Sequence, residues 1–229
     1  MSRLNRQQRP IFCYVTDRSA LPSVTDASEA LLAKIREAAT SGVDWIQIRE
    51  KDFSARQLAV LTESALAEVS ACESGASRPT ILVNDRLDVA LSQKADGVHL
   101  GEKSISVEDA RRLADNLRSR SEPPFLIGAS CHSLDAARRA ATSGADYVFF
   151  GPVFATPSKA AYGAPQGLDL LADVCQAVPI PVLAIGGVTE LNAASCLNVG
   201  AAGIAAIRLF QDALDLPDLV RTLRALRLR

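Results

Sequence analysis

Four stretches of this chain share one shape: a helical run closes on a small or glycine-containing turn, and an apolar run follows at once. They are Thr40-Ser41-Gly42-Val43-Asp44-Trp45, Gln93-Lys94-Ala95-Asp96-Gly97-Val98, Thr142-Ser143-Gly144-Ala145-Asp146-Tyr147 and Asn198-Val199-Gly200-Ala201-Ala202-Gly203. Glycine supplies the left-handed conformation that ends a helix, and β-rich residues then begin a strand. Such joints, repeated without a long linker or low-complexity segment, call for a parallel sheet of alternating β and α units. Eight strands are expected near residues 11–16, 43–49, 80–84, 97–100, 125–130, 146–151, 181–186 and 203–207, with amphipathic helices between them such as 54–72, 106–118 and 133–143. Ser54, Ser106, Ser133 and Thr189 stand as helix caps, and Glu108 and Asp135 follow two of them where a helix start favours negative charge. Eight units favour closure into a single (β/α)8 TIM barrel over an open doubly wound sheet. The 229 residues sit close to the ~250 typical of such a barrel. A polar tail, 1–10, is expected to precede one barrel domain, 11–229.

Composition narrows the class of protein. Apolar residues make up 48% and charged residues 22% of the chain, as in a globular protein with a sizeable core. A net charge of −1 argues against a nucleic-acid surface. The first ten residues lack the apolar run of a signal peptide, and no run approaches the ~20 residues that span a bilayer, so a cytoplasmic protein without membrane contact is expected. Cys13, Cys72, Cys131, Cys175 and Cys196 are scattered and odd in number, which suits reduced thiols better than a disulfide framework or a zinc site.

Chemistry concentrates where barrel strands end. Phe149-Phe150-Gly151-Pro152-Val153-Phe154 runs into Ala155-Thr156-Pro157-Ser158-Lys159, so two hydroxyls and an ammonium follow strand 6 as a phosphate would require. Gly186-Gly187 after strand 7 removes two side chains and lets backbone N–H groups approach a second anion. Strand 2 carries Gln47 and Arg49 on one face with Ile46 and Ile48 opposite, and Glu50-Lys51 follow. Strand 3 ends in Asn84-Asp85-Arg86, which offers an amide to a heterocycle and one carboxylate to Mg2+. His99-Leu100-Gly101-Glu102 and Ser130-Cys131-His132 end strands 4 and 5.

Taken in order, Gln47-x-Arg49-x-Lys51, Asn84-Asp85-Arg86, Ala95-Asp96-Gly97-Val98-His99-Leu100-Gly101, Gly128-x-Ser130-x-His132, Gly151-Pro152-Val153-Phe154 with Thr156-x-Ser158-Lys159, and Ile185-Gly186-Gly187 resemble the motifs of thiamine phosphate synthases, from about residue 11 to residue 210. The resemblance implies a Mg2+-dependent barrel enzyme that joins a hydroxymethylpyrimidine diphosphate to a thiazole phosphate and releases diphosphate. It puts Gln47 and Asn84 near the pyrimidine, and Arg49, Lys51 and Lys159 on the diphosphate. Asp85 resembles the metal ligand and Ser130 a donor to the leaving diphosphate. Thr156, Ser158, Gly186 and Gly187 correspond to contacts on the thiazole and phosphate side. A homodimer is also implied.

Two positions depart from the family pattern. Ser104 stands where a second metal carboxylate is usual, so the metal relies on Asp85 with substrate oxygens and water, or on Glu102, or the diphosphate chemistry is lost. Arg208 replaces a small residue near the phosphate site, where it strengthens that site or blocks it. Two alternatives follow: a Mg2+-independent thiazole tautomerase of the same superfamily with His132 moving the proton, and a non-catalytic barrel that senses thiazole phosphate or thiamine phosphate. Plainer roles compete at single residues. Arg49 and Lys51 also suit ion pairs with Glu50 and Asp52, Asp85 a helix cap, His132 a cap, and Gly186-Gly187 a simple tight turn. His99, between core-like Val98 and Leu100, reads as a satisfied strand histidine rather than a catalyst. Arg221, Arg224 and Arg227 read as a solvated helix face.

Overall fold

A computed structural model describes residues 9–21, 26–72, 78–119, 121–156 and 164–226. Eight parallel strands form a closed barrel in sequence order: β1 (Ile11–Val15), β2 (Trp45–Ile48), β3 (Thr80–Asn84), β4 (Gly97–Leu100), β5 (Leu126–Cys131), β6 (Tyr147–Phe150), β7 (Val182–Ile185) and β8 (Gly203–Ala206). β1 bonds to both β2 and β8, which leaves no open edge. Around it lie α1 (Ala27–Thr40), α2 (Ala55–Ser70), α3 (Leu87–Ser92), α4 (Val107–Leu117), α5 (Leu134–Thr142), α6 (Gly167–Ala177), α7 (Glu190–Asn198), α8 (Arg208–Gln211) and α9 (Leu216–Arg224). Among the described residues no helix is long and apolar enough to cross a membrane.

The expected caps hold. Ser54 and Gln57 form a capping box, Ser106 accepts from Asp109 N–H, Ser133 accepts from Ala136 N–H, and Asn192 Oδ1 takes the N–H of Thr189 at 2.8 Å. The joints hold at three of four places, where Gly42, Gly144 and Gly200 have φ of +86°, +96° and +104°. The second joint departs: Lys94 takes the left-handed turn at φ +56°, and Gly97 begins β4.

Aspartates in three of those joints explain the repeat. Asp44, Asp96 and Asp146 each bond the start of the preceding strand, with an Oδ2 accepting from Phe12 N, Ile81 N and Ile127 N at 2.7, 2.8 and 2.8 Å. Each is also gripped by an arginine: Arg224 on Asp44, Arg78 on Asp96 at 2.7 Å, and Arg111 on Asp146. This clamped ring closes the end of the barrel opposite the strand carboxyl ends, the face that stabilises such folds. It also corrects the reading of the last helix. Arg224 is not on a solvated face; it lies over the Phe12 ring at 4.0 Å, binds Asp44 and donates to Gly42 O at 3.1 Å. Arg221 does face solvent beside Asp218, and Arg227 lies outside the described residues.

Alternation along the strands sorts side chains into two layers. Outward residues such as Ile46, Ile48, Val83 and Phe150 pack against the helices. Inward residues fill the barrel, among them Cys13, Trp45, Leu82, Tyr147, Phe149 and Leu183. Register then places the last inward residues of β2 to β5, Gln47, Asn84, His99 and Ser130, around one mouth.

Candidate active site

A polar chain crosses three strand ends. Gln47 Nε2 donates to Asn84 Oδ1 at 2.7 Å, and Asn84 Nδ2 donates to Asp85 Oδ2 at 2.8 Å. The other carboxylate oxygen, Oδ1, accepts from Gly101 N–H at 3.0 Å and from the Ser104 hydroxyl. Gln47 is 2% exposed, and its Oε1 is a buried polar atom with no hydrogen-bond partner among the described residues. An acceptor left unpaired in this way costs roughly 1–3 kcal/mol, which a ligand N–H would recover. Asp85 adopts φ +61°, a conformation uncommon for non-glycine residues but tolerated by Asp and Asn. It does not cap α3; Arg86 holds that position without a side-chain bond. Its carboxylate is therefore exposed at the mouth and oriented by neighbours.

Arg49 continues the inward face of β2. Its backbone N–H donates to Thr16 Oγ1 at 2.9 Å, and among the described residues its guanidinium makes no hydrogen bond or ion pair. The expected pairing with Glu50 and Asp52 is not formed by Arg49. Arg18 takes both carboxylates, with Nη1 at 3.1 Å from Glu50 Oε2 and 2.6 Å from Asp52 Oδ1. Glu50 is buried and also accepts from Thr16 Oγ1 at 2.6 Å and Arg18 N at 3.1 Å, so it braces the loop after β1. Gln211 does the same from α8, accepting from Tyr14 Oη at 2.9 Å and donating to Asp17 O at 2.8 Å. Neither brace was foreseen; the only signal was a cluster of polar residues after strand 1. Lys51 follows β2 and is exposed.

Ser130 and two histidines occupy the opposite side. His99 Nε2 lies 2.9 Å from Ser130 Oγ, and His99 Nδ1 lies 3.1 Å from the Tyr147 hydroxyl. Burial pushes the His99 pKa down to about 3. The ring is thus neutral and satisfied, as a strand histidine should be. Because the unfolded chain takes up this proton near pH 6.5 and the native state does not, stability falls as pH drops from about 6.5 towards 3. His99→Gln is expected to remove about 1.4 kcal/mol per pH unit of that slope, measured as the urea midpoint at pH 7 and pH 5.5; equal slopes in both proteins would contradict it.

His132 donates from Nδ1 to the Gly151 carbonyl, while Ser133 caps α5, so His132 is not a cap. Its Nε2 stands 3.9 Å from Glu102 Oε1. Of the two side chains considered as a second metal ligand, Ser104 touches Asp85 and Glu102 faces His132. Among the described residues no three His, Cys, Asp or Glu side chains converge as a metal cluster. The oxygen donors actually brought together, the Asp85 carboxylate and the Ser104 hydroxyl, suit a hard cation that completes its shell with substrate oxygens and water.

Gly186 and Gly187 follow β7 at φ +92° and +66°. A Cβ would lie 2.6 Å from Pro152 Cα at the first and 2.6 Å from Ala155 O at the second. They make a tight turn that lets the loop after β6 close down, with Phe154 N donating to Gly186 O at 3.0 Å. Thr156 lies half-buried in that loop, whereas Ser158 and Lys159 lie outside the described residues. Arg208 opens α8 just past β8; it is exposed, and among the described residues its side chain makes no hydrogen bond or ion pair. A groove of about 580 Å³ between α3 and α4, walled by Leu87, Leu91, Ile105 and Leu113, lies outside this ring and meets it only at Asp85 and Ser104.

Comparison with known proteins gives the family. Residues 13–210 match the family model described as thiamine monophosphate synthase. The chain is 42% identical over 207 residues to a putative thiamine-phosphate synthase of Geobacter sulfurreducens, covering 89% of this chain and 92% of that one. It is 43% identical over 194 residues to the thiamine-phosphate synthase of Chloroflexus aurantiacus, covering 85% and 84%. The solved structure of a thiamine phosphate pyrophosphorylase from Pyrococcus furiosus superposes with a TM-score of 0.77 at 32% identity, covering 96% and 95%. With a family match over most of its length and relatives above 40% identity, the chain belongs to the thiamine monophosphate synthase family.

Proposed function

We propose that this chain is a thiamine-phosphate synthase that couples hydroxymethylpyrimidine diphosphate to thiazole phosphate in thiamine biosynthesis. The observation that carries this is the chain Gln47–Asn84–Asp85–Ser104. One end leaves a buried acceptor unpaired among the described residues, where the amine of a pyrimidine can bind, and the other presents oxygen donors beside it for a cation.

In the coupling, the bond between the pyrimidine methylene carbon and the diphosphate oxygen breaks, and its electron pair leaves with diphosphate. The thiazole nitrogen lone pair forms the new carbon–nitrogen bond. Asp85, with Ser104 orienting its carboxylate, would hold Mg2+, which lowers the cost of negative charge growing on the leaving group. Arg49, whose guanidinium makes no hydrogen bond or ion pair among the described residues, and Lys51 meet the same charge from just past β2, Ser130 donates from β5, and Lys159, which follows β6 in sequence, serves it as well. Gln47 and Asn84 hold the pyrimidine. Thr156, Ser158, Gly186 and Gly187 receive the thiazole phosphate, and Arg208 adds a cation at the edge of that phosphate. His132 offers Nε2 at the mouth. No protein nucleophile is needed, because holding the thiazole nitrogen within attack distance converts the step into an intramolecular one.

Gln47→Leu tests the pyrimidine assignment. It is expected to raise the KM for the pyrimidine diphosphate about tenfold and leave the KM for thiazole phosphate unchanged, since one oriented hydrogen bond to a buried partner is worth about 1.4 kcal/mol. Equal KM values for the pyrimidine in both proteins would remove Gln47 from that subsite.

A further inference from the structure

His99 is too buried to touch a substrate, yet it contacts Ser130, and its other ring nitrogen is held by a tyrosine. We infer that Tyr147 and His99 are positioning residues: the Tyr147 hydroxyl fixes His99 as the Nε2–H tautomer, and His99 thereby turns the Ser130 O–H outward as a donor into the barrel mouth. This rests on the role proposed above for Ser130.

Hydrogen-bond accounting supplies the direction. A neutral imidazole carries one N–H and one acceptor nitrogen. Tyr147 is fully buried, and among the described residues its hydroxyl meets only His99 Nδ1, at 3.1 Å. If Nδ1 held the proton, the phenol would have to accept, and its own proton would be buried without an acceptor at a cost of about 1–3 kcal/mol. Tyr147 therefore donates to Nδ1, the ring proton sits on Nε2, and Nε2–H donates to Ser130 Oγ at 2.9 Å. A serine hydroxyl that accepts from His99 has its own proton left to give. Among the described residues Ser130 Oγ has no second protein partner, and Ser130 is half-buried at the mouth.

The packing has been cleared for this relay. Gly128 lies beside Tyr147 in register, and a Cβ there would fall 2.0 Å from Tyr147 Cζ and 2.4 Å from its hydroxyl oxygen, so only glycine lets the phenol reach His99. The His99 ring stacks on Phe149 with centroids 4.1 Å apart, and Trp45 meets Tyr147 edge-on at 4.7 Å. Both rings are thus packed against aromatic neighbours.

The chain contains two histidines, so histidine labelled with nitrogen-15 reports both rings, and a His132→Asn sample leaves His99 alone in the spectrum. The expected result is a protonated Nε2 and a bare Nδ1 across neutral pH. Tyr147→Phe, which keeps the ring volume, is expected to mix the tautomers and lower kcat for coupling about tenfold with little change in KM, because a misdirected donor forfeits part of its charge stabilisation. His99→Gln, whose amide nitrogen can still donate to Ser130, should stay within about threefold of the parent, and His99→Leu should fall to the level of Ser130→Ala. A protonated Nδ1 in the parent protein, or a Tyr147→Phe variant with unchanged tautomer and kcat, would overturn the relay. Full activity in Ser130→Ala would instead overturn the role given to Ser130, and the ring spectrum alone would then decide the tautomer.

Discussion

Replacing Asp85 by asparagine is expected to lower kcat/KM for coupling by about a thousandfold and to make the residual rate indifferent to Mg2+ and to chelator. The substitution separates charge from shape. Asparagine tolerates the φ of +61° that Asp85 adopts, and its carbonyl can still accept from Gly101 N–H and Ser104, so that only the exposed bond from Asn84 Nδ2 is lost. Folding should be intact, so thermal unfolding within a degree or two of the parent serves as the control. Activity within threefold of the parent, still dependent on Mg2+, would remove Asp85 from the metal site. The prediction carries weight because no second carboxylate stands at Asp85 among the described residues; Ser104 orients the one that is there.

Asp146→Ala is expected to cost about 3 kcal/mol of stability. Asp146 and Arg111 are nearly buried, and removing the carboxylate strands the guanidinium on the carbonyls of Gly144 and Phe125 and frees Ile127 N–H at the start of β5. Urea unfolding measures the loss. Arg111→Met in the same chain should recover part of it by removing the stranded charge, since the two residues are coupled. A loss below about 0.5 kcal/mol, the size of an exposed surface pair, would contradict the clamp. Asp96 and its partner Arg78 are more open to solvent and should cost less.

Local patterns made the barrel legible, and long-range pairing hid much of the rest. The small turn followed by an apolar run marked all four helix-to-strand joints, and serine caps marked the starts of α2, α4 and α5, because both are decided within a few residues of chain. Strand ends were placed too generously, as with β2 at Trp45–Ile48 against 43–49. The repeated aspartate was visible, but its purpose was not: Asp44 is gripped by Arg224, 180 residues later, which is also why Arg224 looked like a surface arginine. The site shows the same division. Parity along β2 put Gln47 and Arg49 on one face, whereas the diversion of Glu50 and Asp52 to Arg18 depends on how β1 and β2 lie side by side. At the second joint Lys94 takes the left-handed turn expected of a glycine, whereas the need for Gly128 comes from the ring of Tyr147 on the neighbouring strand. His99 was recognised as satisfied, but its link to Ser130 required the register of β4 and β5.

The most direct measurement is formation of thiamine phosphate and release of diphosphate from hydroxymethylpyrimidine diphosphate and thiazole phosphate, with Mg2+ and with chelator. Stoichiometric thiamine phosphate and diphosphate that appear with Mg2+ and vanish with chelator are the expected result. A folded protein that leaves both intact substrates unchanged with Mg2+ present would contradict the synthase assignment.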